Sequence, residues 1–335
     1  MSTPSADIIN TTLQHRAKKL RDNLFRSVPL LDAMKQKGRT VTLEGGARIS
    51  IPVGLSDHSG LIGLSGSGYT AIPAVTVGEV TKDALYEWSN FVQHITMSKV
   101  ESVANKGPEA RVRLLDAKMQ NVFGSMRRSV ETQIFAGSVA AISDLQSFNG
   151  LDAATGAFEE QPFGSQDNTV GGIAKASYPT AWQHQLADAA GAFATGGLAA
   201  MRNASIKAGT YGAGIDLVFL STTAMGLYAA ELQTQDRYVM ERPADGARLN
   251  LQFDGASVFA QKDLGFTGSG GSNKLSGIML DSSGVNLYVD REGNFSLSQP
   301  RHADGIEGQT WSVFCRMQVV FSALNVHAAI INAEA

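Results

Sequence analysis

The histidines are the first side chains to consider as general bases or metal ligands, and they are scattered along the chain. No two of them have the close spacing that places two ligands on one helix or one turn, and a metal site needs several ligands in one place. We therefore interpret them as isolated structural or surface residues, and we expect no metal or cofactor. The six are His15, His58, His94, His184, His302 and His327.

The carboxylates and the single thiol also do not form a catalytic group of residues. Glu159 and Glu160 are adjacent, so their side chains should diverge in a loop instead of facing each other across a substrate. Cys315 alternates with apolar residues in a strand-like segment, which predicts a buried, inert thiol. One cysteine also excludes an intrachain disulfide and a multi-thiolate metal site.

Glycine-rich segments could bind phosphate or present a nucleophile, but their spacing fits neither role. GSGYTA at residues 66–71 and GSGGSN at residues 268–273 match neither the dinucleotide nor the P-loop pattern. Ser65 and Ser67 lack the flanking pattern of a nucleophile elbow. No catalytic or cofactor-binding residue is predicted, so the sequence favours a protein that is not an enzyme.

The composition of the chain narrows the classes of function that remain. With 335 residues, of which 43% are hydrophobic, the chain can form one elaborated domain or two lobes. The formal net charge of -3, without a basic stripe, argues against sequence-specific nucleic-acid binding. No apolar run approaches the roughly twenty residues of a membrane span, and the first residues lack the apolar centre of a secretion signal. We expect a protein made in the cytoplasm, without a membrane partner.

One long helix is predicted over residues 107–137, and the rest of the chain is organised around it. Pro108 suits its first position, and Gly137 can adopt the left-handed conformation that ends a helix. At 1.5 Å per residue it would be roughly 45 Å long, a rod from which separate lobes can extend. Lys118, Arg128 and Thr132 are expected to point away from its apolar stripe. That stripe consists of Val112, Leu115, Met119, Val122, Met126, Val130 and Ile134.

Two strand-like segments precede this helix, at residues 41–53 with a kink at Gly45 and Gly46, and at residues 75–97. The sequence between them is rich in glycine, yet it carries large apolar side chains. A two-stranded ribbon is marginal alone, so these side chains need cover from the rest of the chain or from another subunit. They are Leu55, Leu61, Ile62, Leu64 and Tyr69.

The chain after the long helix is predicted to mix helices and strands. Residues 138–168 are predicted to be irregular, and residues 178–207 to form a helix interrupted at two glycines. Residues 215–220 should form a buried strand, after which Ser221 and Thr222 cap a helix. Three strand-like segments end the chain, at residues 249–265, 285–301 and 310–322, the last with one buried face.

The first 38 residues mix apolar and charged side chains and predict a partly helical arm. It is either a solvated amphipathic helix packed on its own chain or a segment that reaches onto a neighbouring subunit. Its basic cluster consists of Arg16, Lys18, Lys19 and Arg21.

The order of these parts resembles the tailed-phage major capsid proteins of the Hong Kong 97 fold. DLVFLSTTAMGLY resembles the strand-to-helix part of that family's axial lobe, and VNLYVDREGNFSL resembles one of its hairpins. LQFDGASVFAQKDLG and the closing strand WSVFCRMQVVFSALNVHAAI also have counterparts there. The resemblance extends over nearly the whole chain and rests on the order and spacing of the motifs.

The resemblance implies an α+β architecture of five parts. They are an N-terminal arm (1–38), an extended loop (39–100), a spine helix with the peripheral domain (101–185), an axial domain (186–299) and a return strand of the peripheral domain (300–335). In this architecture the extended loop lies on a neighbouring subunit, which would cover its leucines.

The resemblance also implies a function. The chain would be a virion capsid protein that self-assembles into hexamers and pentamers in the cytoplasm of a host bacterium, forming an icosahedral shell around DNA. Its implied partners are further copies of itself, a portal protein at one vertex, packaged double-stranded DNA held non-specifically, and a decoration or cement protein. Because the arm begins within a few residues of Met1, the scaffold is expected to be a separate protein, or absent.

Three rival functions remain open at this point. A cellular nanocompartment shell, of the encapsulin type, has the same fold and encloses protein cargo. A glycine-rich hydrolase or binding module would need a pocket with convergent polar groups. A tail or adhesin component would be expected to show sequence repeats.

The predicted functional residues are subunit contacts. The apolar anchors would be Leu61, Ile62 and Leu64, together with Leu55 and Tyr69, and charged side chains would tune the contacts. The charged set comprises Glu44, Arg48, Arg16, Lys18, Lys19, Arg21, Arg127 and Arg128.

Some relatives join subunits through a lysine on the extended loop, an asparagine on a neighbour and a catalytic glutamate. This chain has no lysine from Gly38 to Thr81 and no glutamate from Thr310 to Ser322. We therefore expect no autocatalytic cross-linking.

Overall fold

We describe the protein from a computed structural model. The description covers residues 28–56, 80–104, 108–137, 139–142, 144–148, 162–163, 169–189, 193–234, 251–264, 266–267, 274–302 and 308–333.

The described residues contain both helices and strands, as the predicted α+β class requires. The helices are α1 Pro29–Gln36, α2 Lys99–Ala104, α3 Pro108–Ala136, α4 Leu198–Gly209 and α5 Thr222–Thr234. The strands are β1 Thr40–Leu43, β2 Arg48–Gly54, β3 Thr81–Glu87, β4 Ser89–Ser98, β5 Thr169–Val170, β6 Ile173–Ala174, β7 Gln185–Asp188, β8 Leu217–Ser221, β9 Gln252–Phe253, β10 Ala256–Gln261, β11 Phe266–Thr267, β12 Lys274–Leu280, β13 Val285–Asp290, β14 Ser296–Leu297, β15 Arg301–His302, β16 Gly308–Phe321 and β17 Ala328–Ile331.

Helix α3 is the predicted long helix, with Pro108 at its start and Gly137 just beyond its end at φ +67°. Met126, Val130 and Ile134 of the apolar stripe are buried. Near the C-terminal end of the helix two polar side chains, Glu131 and Gln133, are buried as well. The physical reason is that this end of the helix is enclosed by the main hydrophobic core, which contains side chains from both large sheets.

The first large sheet is built around β16. This strand pairs in antiparallel fashion with β4, β13, β14 and β15, and β1 adds to β13 in parallel. The predicted buried face of β16 is confirmed. It consists of Trp311, Val313, Cys315, Met317, Val319 and Phe321.

The second large sheet has the order β7-β17-β12-β8-β10-β9, with β11 paired to β12. The predicted strand-to-helix step is confirmed: all five residues of β8 are buried, and Ser221 Oγ accepts a hydrogen bond of 3.1 Å from the Ala224 amide. Asp254 and Gly255 connect β9 to β10 with φ of +50° and +83°, as a two-residue hairpin turn of type I′ requires.

The two strand-like segments before α3 are each divided into two strands, which corrects the prediction of single strands. Gly45 and Gly46 have φ of +72° and +101°, and this break places β1 in the first sheet and β2 in a separate hairpin with β3. A second break at Trp88 separates β3 from β4. The kinks therefore move the chain from one sheet to another.

The prediction of a helix over residues 178–207 is also wrong in part. Residues Gln185–Asp188 form β7, parallel to β17, and the helix begins only at Phe193 with a π-helical turn that continues into α4. Strands β12 and β17 were not predicted. Apolar and polar residues alternate little along these two strands. Strand β12 contains Gly277 and is buried at the centre of the sheet, and β17 begins with two alanines.

Each large sheet combines strands from distant parts of the sequence. Strands β13 and β14 belong to the first sheet, whereas β12 before them and β17 after them belong to the second. The chain therefore passes between the two sheets more than once, and one hydrophobic core joins them.

Candidate assembly surfaces

The β2–β3 hairpin lies within the predicted extended loop, of which residues 39–56 and 80–100 are described. Its register runs from Arg48 opposite Glu87 to Gly54 opposite Thr81. One face is buried on the rest of the chain, and the other is exposed along both strands. Residues 57–79, which connect β2 to β3, lie outside the described residues.

Two contacts fix the base of this hairpin. Tyr86 Oη donates a hydrogen bond of 3.0 Å to the carbonyl oxygen of Phe321, and burial raises the pKa of Tyr86, so that the hydroxyl keeps its proton. The Leu85 amide donates to the carbonyl oxygen of Gly171 over 2.9 Å. Gly171 has φ +59°, and a Cβ there would lie 3.1 Å from the Ala84 Cβ, so glycine is required for this close approach.

Leu55 follows β2, and its backbone N–H donates to the carbonyl oxygen of Val80 over 2.9 Å. Only 5% of Leu55 is exposed, and it belongs to the main hydrophobic core of its own chain. The apolar side chains of the loop were expected to be covered either by the rest of the chain or by another subunit. Leu55 is covered by the rest of its own chain. This leaves it little surface to offer to a neighbouring subunit.

Arg316 joins three segments at the base of the hairpin. It lies on the outer face of β16, where Nη1 donates to Asp290 Oδ2 over 2.9 Å and Nη2 donates to the carbonyl oxygen of Gly46 over 2.7 Å. Its guanidinium carbon lies 4.8 Å from the ring centroid of Trp88. Arg316 thus ties both chain breaks, at Gly46 and at Trp88, to β13 and β16. Sequence reasoning did not identify these partners.

Three of the predicted subunit-contact charges form ion pairs within their own chain. All three pairs are well exposed, so each contributes at most about 1 kcal/mol to stability, and exchanging its partner for one on another chain would cost little. The pairs are Glu44 with Arg291, Arg48 with Glu87 at 2.7 Å, and Arg127 with Asp32 at 2.7 Å.

The remaining predicted contact residues divide into two groups. Arg128 is half-buried on α3 and interacts within the chain. The others lie outside the described residues, and their contact roles stay predictions. They are Arg16, Lys18, Lys19 and Arg21 of the arm, and Leu61, Ile62, Leu64 and Tyr69 of the extended loop.

Helix α2 presents an apolar surface that sequence reasoning missed. Ser98 and Glu101 cap it reciprocally, since the Ser98 amide donates to Glu101 Oε2 and the Glu101 amide donates to Ser98 Oγ. Glu101 also pairs with Lys118 of α3 at 2.9 Å. Val100 and Val103 are 69% and 50% exposed and line an open concavity of about 480 Å³. The Ser-x-x-Glu pattern at residues 98–101 could have predicted this helix.

The described titratable groups with shifted pKa values are buried. Cys315 is fully buried, as predicted, and burial raises the pKa of its thiol to about 12. His184 and His327 both contact the Phe163 ring, with ring centroids 5.6 Å and 6.1 Å from its centroid, and burial lowers their pKa values to about 3 and about 4. The Asp281 amide donates to His327 Nδ1 over 3.1 Å, which also favours the neutral ring. Sequence reasoning treated these two histidines as unrelated.

Within the described parts of the chain, no three His, Cys, Asp or Glu side chains are grouped so as to hold a metal ion. None of the described helices combines the length and apolar character of a membrane span. His94 is exposed and pairs with Ser312 Oγ at 2.9 Å. His15 and His58, and the side chain of His302, lie outside the description.

Comparison with known proteins gives no match by sequence and many by structure. No family model and no curated protein sequence matches this chain. The capsid of cyanophage A-1(L) superposes with a TM-score of 0.61 at 14% identity, covering 95% of this chain and 96% of that one. The capsid of a native GTA particle gives 0.60 at 11% identity, covering 95% and 94%.

An encapsulin complex is similar to the same degree. The SrpI encapsulin complex from Synechococcus elongatus gives a TM-score of 0.59 at 9% identity, covering 100% of this chain and 97% of that one. The names of these neighbours describe capsids and an encapsulin complex and no enzyme, which agrees with the expectation from sequence. Because the matches extend over nearly the full length of both chains, the chain has the Hong Kong 97 capsid fold.

Proposed function

We propose that this chain is the major capsid protein of a tailed phage, a structural subunit that self-assembles into hexamers and pentamers. The observation that supports this most strongly is the match of about 95% of the chain to two capsid subunits, with no long unmatched portion on either side. Both the spine helix and the β2–β3 hairpin are formed.

In the proposed shell, residues 57–79 of one subunit lie on the neighbouring subunit. Tyr86 and Arg316 fix the base of the β2–β3 hairpin, whose two strands this segment connects. Leu61, Ile62 and Leu64 would be buried in the contact, since large apolar side chains anchor interfaces. The exposed ion pairs of Glu44, Arg48 and Arg127 would exchange partners between subunits.

The proposed partners follow from the role of a phage head. They are packaged double-stranded DNA, a portal protein at one vertex, a separate scaffolding protein and a decoration or cement protein. A net charge of -3 suits a container that must not hold its DNA tightly, because tight binding requires many cationic contacts to phosphates. Assembly would take place in the host cytoplasm, and the subunit would remain in the virion.

A second candidate is an encapsulin-like shell that encloses protein cargo. The full-length similarity to the SrpI encapsulin favours it as much as the capsid matches favour the first. The contents of the particle distinguish the two functions.

The test is to purify particles from the native source, treat them with external nuclease, and analyse what they protect. Nuclease-resistant double-stranded DNA without a folded cargo enzyme is the result expected of a phage head. A stoichiometric protein cargo and no protected DNA would contradict the capsid role and support the encapsulin-like one.

A further inference from the structure

Strand β4 lies at an edge of the first sheet. Among the described strands it pairs with β16 alone, and the register between them is unbroken from Ser98 opposite Gly308 to Ser89 opposite Met317. The short helical turn Ala140–Ile142 lies near β4, but no backbone hydrogen bond joins the two. A strand edge without a partner presents a row of N–H and C=O groups that can pair with another strand.

The backbone groups that face this open side can be identified from β16. The Ser298 amide donates to the carbonyl oxygen of Ser312 over 2.8 Å, so the backbone groups of Ser312 point away from β4. In an antiparallel pair, two opposite residues either exchange hydrogen bonds or both point away from each other, and the two cases alternate along the strands. His94, opposite Ser312, therefore turns its N–H and C=O groups to the open side, as do Val92 and Asn90.

The open edge is limited at its C-terminal end. The Ser98 amide donates to Glu101 Oε2 of α2 over 3.1 Å, and the carbonyl oxygen of Thr96 accepts from Lys118 Nζ of α3 over 3.2 Å. Helices α2 and α3 thus close this end. Along residues 90–94, by contrast, no described residue forms a hydrogen bond to the outward backbone groups.

Residues 89–95 lack the features that protect a strand edge from pairing. They include no lysine, arginine, aspartate, glutamate, proline or glycine, and their pairing with β16 has no bulge. The outward side chains are exposed, and Val92 is 49% exposed. Strand β2 differs, because it carries Arg48 and Pro52, and charges and prolines protect an edge. The open edge of β4 is therefore suited to the addition of a further strand.

We propose that this edge pairs with the same edge of a second copy of the chain, in antiparallel fashion about a two-fold axis at Val92. In that register Val92 lies opposite its own counterpart and Asn90 lies opposite His94, so every outward N–H group meets a carbonyl oxygen. No like charges come to lie opposite each other, and the two exposed valines cover one another. Two-fold contacts of this kind are the commonest between identical chains.

The alternative occupant is a segment of residues 1–27 or 57–79. The first contains a basic cluster at residues 16–21, for which the uncharged edge offers no partner, and the second contains Pro73, which lacks an N–H group. A second copy supplies matching donors and acceptors without either drawback. The proposed pairing joins two first sheets into one continuous sheet, and it does not depend on the proposed function.

Chemical cross-linking of the full chain tests this register. Val92→Cys is treated with a short bis-maleimide at concentrations at which sedimentation shows self-association. We expect a covalent dimer on a denaturing gel, in which both linked peptides contain position 92. Thr96→Cys, exposed on the same face of β4, is the matched control. The two Thr96 positions would lie about 27 Å apart at 3.4 Å per residue, too far for the reagent. Cys315 is buried and should not react.

A second pair of variants tests the strength of the contact. Val92→Lys brings two like charges opposite each other and should weaken self-association by about five-fold or more. Val92→Thr keeps a branched side chain of similar size and should leave self-association unchanged. Circular dichroism should show that both variants fold, because the side chain is exposed.

Three results would overturn the pairing. The first is a chain that stays monomeric at every concentration. The second is the absence of a link between two positions 92, or equal yields of dimer from Val92→Cys and Thr96→Cys. The third is protection of the Asn90, Val92 and His94 amides from hydrogen exchange in the dilute monomer, because a segment of the same chain would then cover the edge.

Discussion

The guanidinium group of Arg316 stacks over Trp88 and at the same time binds Asp290, which is only 8% exposed in its side chain. Trp88 stands at the break between β3 and β4, and Gly46, whose carbonyl oxygen Arg316 also binds, stands at the break between β1 and β2. One side chain therefore fixes both points at which the chain passes between the first sheet and the β2–β3 hairpin.

Replacing Arg316 by Met should lower the free energy of unfolding by about 3 kcal/mol, because Asp290 would be left buried without its charge partner. Urea denaturation followed by circular dichroism measures the change. Arg291→Met breaks the exposed pair with Glu44 and is the matched control, with an expected effect of less than about 1 kcal/mol. Equal effects of the two substitutions would contradict the role given to Arg316.

The two buried histidines should make the protein sensitive to acid. Their pKa values in the folded state lie below the ordinary 6.5, so the unfolded state binds protons first as the pH falls. Their contribution to stability is complete above pH 6.5 and is lost as the pH falls toward about 4, at up to about 1.4 kcal/mol per pH unit for each histidine.

Urea denaturation at several pH values from about 7.5 to about 4.5 tests this expectation, because it gives the slope of the free energy of unfolding against pH. His327→Gln should reduce the slope, whereas His94→Gln, at an exposed position, should leave it unchanged. The account of these histidines fails if both variants keep the wild-type slope.

The apolar side chains of the extended loop should matter for assembly and little for folding. The triple substitution Leu61→Ser, Ile62→Ser and Leu64→Ser should give a subunit with wild-type circular dichroism that forms few or no shells, because the contact would lose its apolar anchors. Ser65→Ala with Ser67→Ala, in the same loop, is the control and should assemble. Sedimentation measures both, and normal particles from the triple variant would refute the loop contact.

Assembled particles should dissociate in denaturant to single chains. The extended loop up to Thr81 has no lysine, and β16 has no glutamate to act as the base for cross-linking. Intact-mass spectrometry of denatured particles should give the mass of one chain. A ladder of covalent multimers that survives reduction would show that another set of residues performs the reaction.

The helices and strands that could be predicted from the sequence are those with a clear periodic pattern of apolar residues or a clear capping residue. The spine helix has a stripe of period 3.6 with a proline and a glycine at its ends, β16 alternates over most of its length, and Ser221 marks the start of α5. The missed strands β7, β12 and β17 owe their conformation to pairing with each other or with β8. Their own residues, such as Gly277 and Ala328, have weak strand preferences.

The candidate surfaces were harder to predict because their contacts join distant parts of the chain. Arg316 binds Gly46 across 270 positions, and Glu131 meets Gln261 across 130. A pattern of neighbouring residues contains no information about such pairs. The same limit applies to Glu44, Arg48 and Arg127, whose types suggest ion pairs but do not reveal whether the partner lies on the same chain.

Negative-stain electron microscopy, after sizing by sedimentation, shows whether the chain forms shells when it is expressed alone or together with the proposed scaffolding protein. We expect closed particles tens of nanometres across in at least one of these two samples. A single monomeric species in both samples at every concentration, with no closed particles in the images, would rule out a shell subunit.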